Sequence, residues 1–171
     1  MKVDRFLYPL ALVAAGFLVL AGCGRQSETA ESAPAQSPAA PRSSATKAGW
    51  LTSYEEGQQE AKASNKLVLL DFTGSDWCGW CIMLDREVFS KPQFKEYASK
   101  NLVLIEVDFP KRKPMADSLR VQNVQLAQRY QIQSFPTIIV LNGAGQIVGE
   151  LGYMKGGPDA FIAALEKLRK G

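Results

Sequence analysis

Two cysteines, Cys78 and Cys81, lie three residues apart in the stretch DFTGSDWCGWCIMLDREVF (71–89), each directly after a tryptophan, Trp77 and Trp80. Sulfurs at that spacing can clamp a metal, anchor a haem, cycle between dithiol and disulfide, or pack as two small apolar side chains on one helical turn. Covalent haem attachment needs a histidine after the second cysteine, and Ile82 stands there. Structural zinc needs four Cys or His ligands, and the chain has no histidine and three cysteines in all. A two-thiolate copper(I) site stays open, because soft thiolates select that metal. So does a redox pair.

The missing histidine also removes Cys/His and Ser/His/Asp catalysis. What remains is cysteine, carboxylate and lysine chemistry. The formal charge is only +3, with acidic and basic residues interspersed. The cluster Lys111-Arg112-Lys113 is too short for a nucleic-acid stripe and is read as a solvated loop.

The start of the chain is an address. Lys2 and Arg5 precede an apolar run from Phe6 to Leu20 that ends in small residues, the pattern of a secretory signal over 1–22. Leu20-Ala21-Gly22-Cys23 resembles the lipobox of bacterial lipoproteins, which implies cleavage before Cys23 and lipidation of its sulfur; the alternative is an uncleaved N-terminal anchor. Residues 25–48 are rich in Ala, Ser, Pro and Glu without apolar periodicity, so 23–49 is expected to be a lipidated cysteine followed by a disordered tether. A flexible chain from Cys23 to Trp50 spans about 30 Å r.m.s.. A domain over 50–171 would then float outside the cytoplasm, on the periplasmic face if the cell has two membranes.

The elements that would hold the cysteines follow from periodicity. Helix is expected over 51–64, and KLVLLDF (66–72) reads as a strand buried on both faces. A helix over 78–89 would put Cys78, Cys81, Ile82, Asp85 and Phe89 on one face. A second helix restarts at Ser90-Lys91-Pro92, with Ser90 as its N-cap. LVLIEV (102–107) is a strand, 115–130 a helix, and 137–141 with 146–151 a hairpin around Asn142–Gly145. A last helix from Pro158 carries Phe161, Ala164, Leu165 and Leu168 on one stripe. The order αβαβαββα implies a three-layer α/β domain with a mixed sheet. Cys78 then opens a helix after a strand, where free N–H groups and the helix dipole favour a thiolate, with Cys81 one turn behind it.

LLDF (69–72), WCGWC (77–81) and SFPT (134–137), in that order and spacing, resemble the thioredoxin superfamily over about 50–169. The resemblance implies the thioredoxin fold, a mixed central sheet flanked by helices. It also implies a cis bond before Pro136, which would present Phe135 to an extended substrate; the alternative is a trans proline on an edge strand. Asp71 would be the buried carboxylate that helps move the proton of Cys81, a role that a burial-raised pKa suits; the alternative is a loop cap. Six residues separate Asp71 from Cys78, one more than in thioredoxin itself. Trp77 and Trp80 suit an apolar peptide surface, Trp80 replacing a common proline and Ile82 a common lysine.

Together these features imply a thiol–disulfide oxidoreductase acting on protein disulfides, with Cys78 attacking and Cys81 resolving. The cysteine pair is the redox group, so no cofactor and no metal is expected; the alternative function is a tethered copper(I) carrier. A monomer is expected, with thiol and disulfide proteins and a membrane electron donor as partners, and no nucleic acid. Asp76, two residues before Cys78, adds negative charge that opposes a thiolate, which favours reductase or isomerase over oxidase. Cys23→Ser should move the protein from the detergent-extracted membrane to the soluble fraction, or leave an unprocessed precursor. Acylation and membrane attachment unchanged in that variant would refute lipidation at Cys23.

Overall fold

The computed structural model describes residues 47–170. The signal segment, Cys23 and the tether up to residue 46 lie outside the described residues, as does Gly171. In chain order the elements are β1 (Trp50–Leu51), α1 (Tyr54–Ser64), β2 (Leu67–Thr73), α2 (Gly79–Leu84) running into a π-helical turn (Asp85–Phe89), α3 (Pro92–Asn101), β3 (Leu102–Asp108), α4 (Asp117–Arg129), β4 (Thr137–Leu141), β5 (Ile147–Leu151) and α5 (Gly157–Lys170). The five strands form one sheet in the order β1-β3-β2-β4-β5. β1, β3 and β2 run parallel, while β4 is antiparallel to β2 and to β5. This is the thioredoxin-like fold, a mixed five-stranded sheet between helices.

β2 explains the layering. Side chains alternate across a strand, so Val68, Leu70 and Phe72 enter one core with Ala61 of α1 and Leu126 and Tyr130 at the end of α4. Leu69 enters the other, where the π turn, α3 and α5 supply a nest of rings, Phe89, Phe94 and Phe161, with centroids 5.0 to 6.0 Å apart. By the same alternation Asp71 and Thr73 face the Leu69 side, at the C-terminal end of the strand. Parallel pairing with β3 sets Asp71 against Glu106 and Thr73 against Asp108. Register alone therefore gathers three carboxylates at one end of the sheet.

Three local readings of the sequence are corrected. The first helix begins at Tyr54 rather than Leu51, because the Ser53 hydroxyl accepts the Glu56 N–H (3.2 Å) and caps it there. Trp50 and Leu51 instead pair with β3 as an edge strand. Ser90 is not the N-cap of α3: it closes the preceding π turn, its hydroxyl donates back to the Arg86 carbonyl at 3.0 Å, and extended Lys91 precedes the helix. Proline at 92 disfavours helical backbone at the residue before it, which accounts for Lys91. The helix expected over 78–89 also changes pitch at Asp85. The wider turn rotates its later residues, so Val88 and Phe89 are buried with Leu84 while Ile82 is 47% exposed.

Candidate active site

Cys78 is the N-cap residue of α2, in extended backbone (φ −83°, ψ 106°), and its Sγ accepts the Cys81 N–H at 3.3 Å. The two sulfurs are joined as a disulfide. Both cysteines are buried, with Cys78 at 7% and Cys81 at 4% exposure. Cys78 N–H donates to the Gly74 carbonyl (2.8 Å), so the loop from β2 closes on itself just ahead of the helix. Gly74 is required there: a Cβ at this position would lie 2.5 Å from the Trp77 ring.

Beneath the disulfide is a cavity of about 540 Å³ whose lining includes Cys81, Asp71, Glu106, Asp108, Lys47 and Asp85. The extra loop residue before Cys78 therefore does not take Asp71 away from Cys81; both face one space. Asp71 is buried, and its Oδ1 has no hydrogen-bond partner. Burial pushes its pKa up to about 7; Lys47 pulls it down, while Glu106 and Asp108 push it further up. Glu106 is itself raised, first by burial and then by Asp108. Lys47 comes from the segment ahead of β1. Burial lowers its ammonium to about 8, against the attraction of Asp71 and Glu106. It pairs with Asp85 and lies over the rings of Trp50 (4.5 Å) and Phe89 (4.9 Å). Desolvation thus outweighs mutual attraction for both partners, and the Asp71–Lys47 couple holds a carboxyl that exchanges its proton near neutral pH.

Around the mouth, the Phe135–Pro136 bond is cis. Phe135 packs edge-on to Trp77 (centroids 5.9 Å) and against Phe109 (5.3 Å). The two tryptophans differ. Trp77 is 36% exposed, and its indole N–H donates to the Phe109 carbonyl at 2.7 Å. Trp80 is 57% exposed and leans on Tyr153 at 5.1 Å, whose hydroxyl donates to Glu87. Asp76 does not bear on Cys78 as its position in the chain suggests. Its carboxylate accepts the backbone N–H groups of Lys111, Arg112 and Lys113 (3.0, 2.6 and 3.0 Å), which hold its pKa down. The fold thus brings Cys78, Cys81, Asp71, Trp77, Trp80, Phe135 and Pro136 to one end of the sheet. Lys47, Glu106 and Asp76's role in the loop had no signal in the sequence, because each depends on residues at least 24 positions away.

A thioredoxin-like domain model matches residues 54–169. Disulfide bond reductase DsbH of Chlamydia pneumoniae is 31% identical over 118 residues, 69% of this chain and 71% of that protein. Thioredoxin-related protein DsbJ of the same organism is 30% identical over 103 residues, 60% of this chain but 30% of that longer protein. A solved structure of a DsbH oxidoreductase superposes with a TM-score of 0.68 at 30% identity, covering 71% of this chain and 83% of the other.

The cavity makes opposite predictions for its two charged neighbours. Lys47 lowers the Asp71 pKa and Glu106 raises it. Lys47→Met should therefore move the midpoint of the exchange-rate pH profile up, and Glu106→Gln should move it down. Asp71→Asn should slow exchange near neutral pH and remove the step. The same variant carries a stability signature: the native pKa of about 7 exceeds the unfolded value of about 4. The unfolded chain thus loses this proton first, and native stability falls as pH rises across that window. Denaturant unfolding at pH 5 and pH 8 should show the fall in the parent and a smaller one in Asp71→Asn, where only the raised Glu106 still contributes. Equal profiles for all variants would return Asp71 to a loop-capping role.

Proposed function

The chain belongs to the thioredoxin-like family, and from that membership we propose that it reduces or isomerises protein disulfides outside the cytoplasm, tethered to a membrane. As a thioredoxin-like protein-disulfide oxidoreductase it has one redox centre in the described residues. The observation that carries the proposal is the Cys78–Cys81 pair at the start of α2 above the cavity that holds Asp71.

In the reducing direction, the Cys78 thiolate attacks one sulfur of a partner disulfide, and the other partner sulfur leaves and takes a proton. The helix N-terminus stabilises the thiolate that starts this step. Asp71 then accepts the Cys81 proton, and the Cys81 sulfur attacks Cys78 Sγ. The second partner sulfur leaves and takes the proton that Asp71 received from Cys81, while the first took from solvent the proton that Cys78 gave up on forming its thiolate. Two electrons and two protons have passed to the partner, and the Cys78–Cys81 disulfide has formed. Phe135 before cis Pro136 and the apolar face of Trp80 form the ledge for the partner's backbone and side chains. A thiol donor at the membrane resets the pair.

The address at 1–22, lipid on Cys23, and the tether over 23–49 would place the domain over 50–171 outside the cytoplasm, on the periplasmic face if the cell has two membranes. The name of the Chlamydia pneumoniae reductase supports the reducing direction. The motif itself has no cation between the cysteines, and Ile82 replaces the following lysine, which supports the same direction; the cations nearest Cys78, Lys111 and Lys113, come from the loop at 111–113 and act against it. Asp76 is withdrawn from that argument, because its charge is engaged by the loop at 111–113. The copper(I)-carrier alternative has no support beyond the two sulfurs themselves.

Substitution separates the roles of the cysteines. Cys78→Ser should abolish exchange, and Cys81→Ser should accumulate mixed disulfides through Cys78. Mixed disulfides forming only in the Cys78 variant would reverse the roles. Equilibration against glutathione should give a potential of about −180 to −270 mV, the range of isomerases and thioredoxins. A value near about −120 mV would make the protein an oxidase.

A further inference from the structure

One side of the disulfide's rim carries a run of cations. Lys111, Arg112 and Lys113 are exposed, and among the described residues none of them makes an ion pair. Some surface cations elsewhere do, such as Lys100 with Glu96 and Arg169 with Glu166, and others such as Lys62 and Lys155 do not; here three stand in a row beside the motif. Asp76, the nearby carboxylate, accepts the three backbone N–H groups of this loop, which fixes the backbone; of the three side chains only Lys113 is attracted to it, and none closes an ion pair with it.

The charges are also held in place. The Lys111 ammonium lies 3.9 Å from the Trp77 ring centroid, and Trp77 is fixed by its N–H bond to Phe109 and its contact with Phe135. The Lys113 ammonium donates to the Ser75 hydroxyl at 3.2 Å, and Ser75 in turn donates its N–H and hydroxyl to Asp108. Two cations are thus tied to residues 75 and 77, beside Cys78. On the other side the rim is apolar, with Trp80 at 57% and Ile82 at 47% exposure.

We infer that the loop at 111–113 is a docking surface for an acidic segment of the redox partner, one that carries carboxylates next to its reactive disulfide. The inference rests on the exchange reading of the Cys78–Cys81 pair. Unpaired charges of one sign beside a reactive site accelerate encounter with the opposite sign by roughly 10 to 10³-fold at low salt. A loop already ordered by Asp76 loses little entropy when the partner binds. The carboxylates would meet the loop while an apolar side chain near the partner's cysteine rests on Trp80. An anionic lipid surface is the competing occupant, but it would leave the apolar side of the rim and the cysteines themselves without a role.

The test is single-turnover reduction of peptide disulfides by the full chain, fully reduced and freed of excess reductant. Each turnover converts the Cys78/Cys81 dithiol to a disulfide and the peptide disulfide to two thiols, so no other reagent enters. Three peptides differ only in two residues beside the cysteine: two Asp, two Asn or two Lys. The acidic peptide should react at least about tenfold faster than the neutral one at low ionic strength. That advantage should shrink as salt rises. Joint Lys111→Glu, Arg112→Glu and Lys113→Glu substitution, which leaves the backbone bonds to Asp76 available, should reverse the order of the acidic and basic peptides. If that variant does not fold, the salt dependence of the parent decides. Equal rates for the acidic and neutral peptides overturn the inference, as does a flank-independent rate combined with loop-dependent binding to phosphatidylserine vesicles. Failure to reduce any of the three overturns the exchange reading instead.

Discussion

Burying the Asp71 carboxylate on the inner face of β2 is the constraint around which the rest of the site is arranged. An isolated ionised carboxylate in an apolar interior is strongly disfavoured, and such a group shifts its pKa and stays protonated instead. Asp71 has one oxygen with no hydrogen bond and Glu106 next to it across the parallel ladder, and both features favour the proton. Lys47, brought in from the segment before β1, pulls the other way. A carboxyl near neutrality is what the second half of a disulfide exchange needs, because it can take a proton from a thiol and release it again. The domain accepts lower stability at high pH in return.

Much of this was legible in the sequence. KLVLLDF, LVLIEV and 137–141 are continuous apolar runs of strand length, and the last helix has a clear stripe, so the sheet and its helices follow from local pattern. Cys78 and Cys81 were legible because their chemistry depends on three-residue spacing at a helix start. Pro136 was legible through the order of motifs. What escaped has physical reasons. A two-residue strand such as Trp50–Leu51 has no period to detect. The π turn at Asp85–Phe89 is a choice of hydrogen-bond partner, and a helical wheel assumes the other choice. Glu106 reaches Asp71 only through the register of β2 on β3, and Lys47 only through the path of the chain into β1.

Asp76 shows how proximity in sequence can mislead about electrostatics. Two residues before a reactive sulfur, a carboxylate is expected from the sequence to raise the thiol pKa. Three convergent backbone N–H groups instead give it partners, and they keep it ionised while spreading its charge into the loop. Its influence on Cys78 therefore passes through what it organises. It fixes the chain at 111–113, which places the Lys111 ammonium over Trp77. One carboxylate in the motif thus brings a positive charge to the rim of the site.

The longer loop between β2 and α2 is used for the same end. Gly74 lets the Trp77 ring lie against the backbone, Ser75 joins the loop to Asp108 at the end of β3, and Asp76 joins it to the chain that follows. Ser75, Asp76 and Trp77 are therefore each tied to β3 or the chain that follows it. Trp77 becomes a fixed wall, its N–H already spent on Phe109, while Trp80 one step inside the helix keeps an open face. A side chain that has lost its donor and most of its freedom orders its neighbours; one that is more than half exposed has surface left to bury against a partner. The two tryptophans of the motif, alike in the sequence, accordingly differ in the fold: Trp77 lies under the Lys111 ammonium on the cationic side of the mouth, and Trp80 keeps an exposed apolar face.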